Sequence, residues 1–167
     1  MKNLKESQIL TSNYPYGRYS LDYALDSLQR MGAGTIEFYA CYPHFHLDDV
    51  DYWDVKRITR KLIEHKLNIV CFTPEQCLYP VNIAALDPAA RKRSMDVFKK
   101  SIQFGAEMGT EYVVTLAGYG TLDEEESAAW KRSVESLGIL GDMAESYGVK
   151  LVLETSPRAV SYTHLTL

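Results

Sequence analysis

The chain has 167 residues, 46% hydrophobic and 24% charged, with a formal net charge of -4, enough for one globular unit with a sizeable core. Acids and bases are interspersed without a basic stripe, which argues against a nucleic-acid partner, and no apolar run approaches the ~18 residues of a membrane span. Cys41, Cys71 and Cys77 form no CxxC pair and residues 1–6 carry no apolar leader, so composition points to reduced thiols in a cytoplasmic protein.

Along the chain, short β-branched runs alternate with helical stripes. A weak run, Gln8 to Thr11, precedes a first helix in which Leu21, Ala24, Leu25, Leu28 and Met31 recur three and four apart behind a Ser20 cap. Thr35 to Tyr39 then reads as a strand. The second helix runs from about Tyr52 to His65, with Val55, Ile58 and Leu62 on one face and Lys56, Arg57, Arg60 and Lys61 largely on the other. A strand over Asn68 to Thr73 leads to Asp87-Pro88, a capping residue with proline at the first helical position. The core face of that third helix is Met95, Phe98, Ile102 and Ala106. After a strand over Tyr112 to Ala117, Thr121-Leu122-Asp123-Glu124 predicts a capping box opening a fourth helix, with Val134, Leu137, Leu140 and Ala144 inward. Lys150 to Leu153 is the last strand.

Gly32, Gly109 and Gly148 each stand just past a helix and before a strand, where a left-handed residue turns the chain back. Strand, helix, glycine, strand is a βαβ series, and continuous apolar strands are those of a parallel sheet buried on both faces. Right-handed crossovers make this an α/β fold, either doubly wound or a barrel. In both, ligands bind at the carboxyl ends of the strands. Those ends carry the long segments rich in His, Tyr, Asp, Glu and Pro.

Glu154 directly follows Leu151-Val152-Leu153, so an apolar strand delivers a carboxylate to the top of the sheet. It could ligate a hard cation or remove a proton beside a carbonyl, or be an ordinary acid at a strand end. Glu37 sits within an otherwise apolar strand, either as a site residue with a shifted pKa or as a hydrogen-bonded structural carboxylate. Tyr39 could line the mouth of a pocket. Pro43-His44-Phe45-His46 follows, with substrate contact by His44 ahead of metal ligation by the pair. Glu75 and Asn82, after the third strand, could hydrogen-bond a polyhydroxylated ligand or simply order a loop. Ala117-Gly118-Tyr119-Gly120 would let backbone approach a ligand, but lacks the spacing of a dinucleotide site.

Taken in order, Gly34-Thr35-Ile36-Glu37-Phe38-Tyr39 with Pro43-His44, Thr73-Pro74-Glu75 with Tyr79-Pro80 and Asn82, Arg93-Ser94, Ala117-Gly118-Tyr119 and Leu151-Val152-Leu153-Glu154 resemble the xylose-isomerase-like barrels. Within these sugar-phosphate isomerases and epimerases the chain looks most like the branch of fructoselysine and ketohexose 3-epimerases, from about Asn13 to Pro157. The resemblance implies a (β/α)₈ barrel of which residues 1–158 supply about five strands and four helices. It implies a divalent metal, usually Mn²⁺, with Mg²⁺, Co²⁺ or Zn²⁺ as alternatives, held by a Glu, an Asp, a His and a second Glu. Glu154 matches the first Glu, both ligand and acid/base carboxylate. Glu37, Tyr39, His44, Glu75, Asn82, Gly118 and Tyr119 fall where substrate would bind. The implied reaction moves the C3 proton of a ketose through an enediolate.

A complete barrel needs ~250 residues, and the implied Asp, His and second Glu have no counterparts in this sequence. The piece alone is expected to be inactive, of marginal stability and self-associating, because an open sheet has two unpaired edges. Residues 159–167 depart from the family pattern and resemble read-through of an adaptor sequence, so His164 is not counted as a ligand. Alternatives that keep the fold are a hydroxypyruvate isomerase and an inositol-pathway isomerase or dehydratase. A non-catalytic sugar-binding or interaction module is the alternative from another class. The related apurinic endonucleases are disfavoured by net acidity and by the lack of histidines after Thr73 and Ala117.

Overall fold

Five parallel strands pair in chain order: β1 (Thr11–Ser12), β2 (Thr35–Ala40), β3 (Asn68–Pro74), β4 (Tyr112–Leu116) and β5 (Lys150–Glu154). This computed structural model describes residues 5, 9–78, 80–156 and 159–160. A doubly wound sheet reverses at a switch point. Here each strand adds to the same edge, as in the wall of a barrel, which decides between the two parallel architectures. The helices α1 (Leu21–Arg30), α2 (Tyr52–Glu64), α3 (Pro88–Glu107) and α4 (Glu126–Ser146) connect successive strands from β1 to β5.

Local signals explain most boundaries. Ser20 accepts from the Tyr23 amide at the start of α1, and Asp87 from the Ala89 and Ala90 amides at the start of α3. Asp51 and Asp54 form a reciprocal capping box on α2. Gly32, Gly109 and Gly148 have φ of 78°, 79° and 71°, the left-handed turns expected of them.

One apolar cluster joins the sheet to the helices. Ile36, Phe38 and Phe72 from β2 and β3 pack with Leu25 and Leu28 of α1, Val55 and Leu62 of α2, Phe98 and Ile102 of α3, and Leu140 of α4. Residues alternate across a strand, so Thr35, Glu37 and Tyr39 of β2 face away from that core. Register carries this second face across the sheet: Glu37 lies beside Cys71 and Tyr39 beside Thr73. On the next strands, Tyr112 lies beside Lys150, Val114 beside Val152 and Leu116 beside Glu154. A register shift between Ile36 and Glu37 brings Cys71, rather than Val70, level with Glu37.

Three expectations about local structure are corrected. The fourth helix begins at Glu126 without a side-chain cap; Glu124 does accept from the Thr121 amide, but its carboxylate is also gripped by Arg132 and closes a loop instead of starting a helix. The α4 face is as expected at Leu137, Leu140 and Ala144 but differs at its start, where Val134 is 52% exposed and Ala129, Ser133 and Ser136 are buried instead. The serine hydroxyls donate to the carbonyls of Ala117 and Ile83, so small residues let the helix sit close against two loops. Finally, β5 is not buried on both faces; it is an edge, with Val152 41% and Leu153 45% exposed. Gln8, Tyr79 and residues beyond 160, including His164, lie outside the described residues. Ala159 and Val160, at the start of the segment expected to be non-native, are buried against Ala84, Ala117 and Ala129.

Candidate functional site at the carboxyl ends of the strands

The face turned away from the core carries the candidate chemistry. Glu37 accepts a 2.6 Å hydrogen bond from the Thr73 hydroxyl, its neighbour across the β2–β3 pair. Cys71 lies in the same row. Burial pushes its thiol pKa up, a hydrogen bond with Thr73 opposes this, and the negative fields of Glu37 and Glu154 add to it. Cys77 is raised too, by burial first and then by Glu75 and Glu154. The three carboxylates thus act on one end of the sheet, and Glu154 is the member exposed there.

Glu75 is 2% exposed. Its Oε1 accepts from the amides of Cys77 and Leu78, closing the turn after β3. Its side chain therefore orders the loop, one of the two readings its sequence allowed. Gln76 does related work unseen in sequence: its amide oxygen accepts from the Leu116 amide at 2.8 Å, extending β3 alongside β4 where the strand itself has ended.

Tyr39, near the carboxyl end of β2, has its ring edge-on to Tyr14 at 4.9 Å. Asn13, fully buried, accepts from the Tyr39 amide at 2.7 Å and donates to its carbonyl at 2.9 Å. It also meets His44 Nδ1 at 2.9 Å, while His44 Nε2 meets the Tyr19 carbonyl at 3.0 Å. An amide donor on one nitrogen and a carbonyl on the other select the neutral Nε2–H tautomer. Burial lowers the His44 pKa in keeping with that state. Both ring nitrogens are thus engaged by the protein, and His44 ties the loops after β1 and β2 together. His46 lies elsewhere, 3.4 Å from Asp49.

Asn82 and Gly118 also meet each other. Asn82 Oδ1 accepts from the Ala84 and Tyr119 amides, and Nδ2 donates to the Tyr119 carbonyl at 2.8 Å. Gly118 has φ +76°, and a Cβ there would stand 2.5 Å from Asn82 Oδ1. Its small size admits an asparagine of the protein. Arg132 adds a second tie, donating from Nη2 to both carboxylate oxygens of Glu124 at 2.6 and 2.7 Å and through Nε to the Ala84 carbonyl. That guanidinium holds the Glu124 carboxyl below its ordinary range.

Asn13, Gln76 and Arg132 escaped the sequence reading because each acts through partners 26 to 48 residues away. The available signal was weak: a polar residue beside a strand end or a buried loop. Among the described residues, no group of three or more His, Cys, Asp or Glu could hold a metal ion. The carboxylate end of this sheet does not by itself fit the implied cation. No described helix is long and apolar enough to cross a membrane.

A sequence profile described as xylose isomerase-like TIM barrel matches residues 25–165. Fructoselysine 3-epimerase of Shigella flexneri is 28% identical over 137 residues, 82% of this chain and 50% of that protein. Among solved structures, 3-keto-D-glucoside 4-epimerase from E. coli superposes with a TM-score of 0.72 at 17% identity, over 90% of this chain and 56% of that one. The IOLI protein, whose structure holds a zinc atom, gives 0.70 at 19%, over 90% and 53%. This chain spans about half the length of the curated relatives it matches.

Proposed function

Because this chain belongs to the xylose isomerase-like TIM barrel family, we propose that it is the first half of a carbohydrate epimerase barrel acting at C3 of a ketose, of the fructoselysine or ketohexose type. Glu154 is its acid/base carboxylate. The observation that carries this reading is the placement of Glu154 at the carboxyl end of β5, level with Leu116 and on the face that also presents Glu37, Thr73 and Tyr39. A carboxylate fixed there can take a proton from carbon beside a carbonyl, and the Tyr14–Tyr39 ring pair offers an apolar face to a sugar.

The zinc atom in a structural neighbour supports a divalent-metal requirement, with Mn²⁺ the first choice, for the complete protein. Glu154 is the described residue that would contribute. The described residues provide no complete ligand set, and the 167-residue chain by itself is expected to be inactive. The substrate is a small sugar. The open β5 edge, with Val152 and Leu153 exposed, supports self-association of the isolated chain.

The test is deuterium uptake at C3 of D-psicose and fructoselysine in D₂O with added Mn²⁺. No uptake is expected with this chain, and uptake is expected when the chain is continued through its own downstream coding sequence. Glu154→Gln in the continued protein should lower the rate by about two to four orders of magnitude. Uptake that survives Glu154→Gln removes the catalytic assignment. Sugar binding without uptake by the continued protein favours a binding module instead.

A further inference from the structure

A cavity of about 580 Å³ lies on the helix side of the sheet. Its apolar floor is Ala40, Leu47, Val81 and Val97, with the exposed Ala89 at the rim. Ala40 alternates with Tyr39 on β2, so the cavity opens on the helix side and is separated by the strand from the carboxylate-bearing face. Its walls are the segment after β2, the segment before α3, and the first turns of α3.

The size and the apolar floor are those of a small-molecule pocket, and its charges define the complement. Lys92 is paired with Asp96 at 2.6 Å and Lys100 lies 4.0 Å from Asp48, so four of the five charged arginine, lysine and aspartate side chains at the rim offset one another. Arg93 is the fifth. Among the described residues it has no carboxylate partner, and it meets only the Pro80 carbonyl, at 3.5 Å, the limit of a hydrogen bond. A guanidinium in this state keeps most of its donor fork for an anion.

We propose that this cavity binds a small amphipathic carboxylate, its apolar body on the Leu47–Val81–Val97 floor and its carboxylate on Arg93. The site is independent of Glu154 and of sugar chemistry. Its back wall is Ser94, whose hydroxyl accepts from the Asn82 amide at 2.8 Å, and Asn82 in turn holds the loop at Tyr119. Occupancy is therefore one hydrogen bond away from the loops that frame the carboxylate face.

Octanoate and octanol share a body and differ in charge, so titration of the whole chain with each separates the two contributions. Octanoate is expected to bind about tenfold or more tightly than octanol, and Arg93→Gln should bring the two together. Ala89→Leu, which keeps a good helix former and crowds the rim of the cavity, should weaken both probes. Methyl shifts on the unaltered chain should fall on Leu47, Val81 and Val97. Absence of octanoate binding, equal binding of the two probes, indifference to Arg93→Gln, or shifts centred on Val152 and Leu153 would each overturn the proposal. Should Arg93→Gln fail to fold, Ala89→Leu and the shift map still decide it.

Discussion

The middle of the sheet and its β5 edge are built from similar sequence and behave differently. Ile36 and Phe38 on β2 and Phe72 on β3 are completely buried, and the rings of Phe38, Phe45 and Phe72 meet one another at 5.7 to 6.1 Å. On β5, Leu151-Val152-Leu153 is just as apolar, yet Val152 and Leu153 are 41% and 45% exposed. A strand is buried by what lies beside it and on its two faces, not by its own composition. The inner strands have neighbours and helices; the last has a neighbour on one side only. The polar ties follow the same division: Asn13, Gln76 and Asn82 all lock segments around β2, β3 and β4.

The largest expected effect tests that contrast directly. Phe72→Ala should cost about 3–5 kcal/mol, while Leu153→Ala should cost less than about 1 kcal/mol, both read from urea midpoints. Equal losses would mean that β5 is packed in solution as tightly as β3, and the distinction between middle and edge would fall.

Asn13→Ala comes next. It strips the Tyr39 amide and carbonyl of their partner and leaves His44 Nδ1 without a donor, at about 2–3 kcal/mol. Hydrogen exchange should show the loss concentrated at Tyr39 and His44, with amides of β5 unchanged. A uniform loss of protection across all strands would show that this tie supports the whole sheet.

The smallest effect is a pair of opposed pH dependences. His44 is lowered by burial, so the stability it contributes is present above the ordinary histidine pKa of about 6.5 and is lost as the pH falls through its folded value. His65 is raised, first by the Lys61 carbonyl and then by Asp26 after burial has opposed it. Its contribution is full below about 6.5 and is lost as the pH rises through its folded value. From pH 8 to 5, the stability difference between the unaltered chain and His44→Gln should therefore shrink, and that for His65→Gln should grow. Slopes of the same sign would contradict the assigned states.

Much of this was legible in the chain itself. Asp87-Pro88, Ser20 and the three glycines are short-range signals whose partners lie within four residues, so helix starts, turns and the βαβ order could be read directly. Glu37 within an otherwise apolar strand and Glu154 directly after an apolar run likewise marked where the sheet bears carboxylates, and the order of short motifs pointed to the family. Sequence could not say that His44 and Asn82 already spend their hydrogen bonds on the protein, nor that Gly118 makes room for Asn82. Those facts depend on segments brought together over 25 to 37 residues. The same holds for Ser133 and Ser136, polar by composition but buried because two loop carbonyls await them. Propensity and patterning act locally and survive in a single string of residues. Burial, partner choice and the exposure of β5 are properties of what surrounds a residue, and only the packed chain decides them.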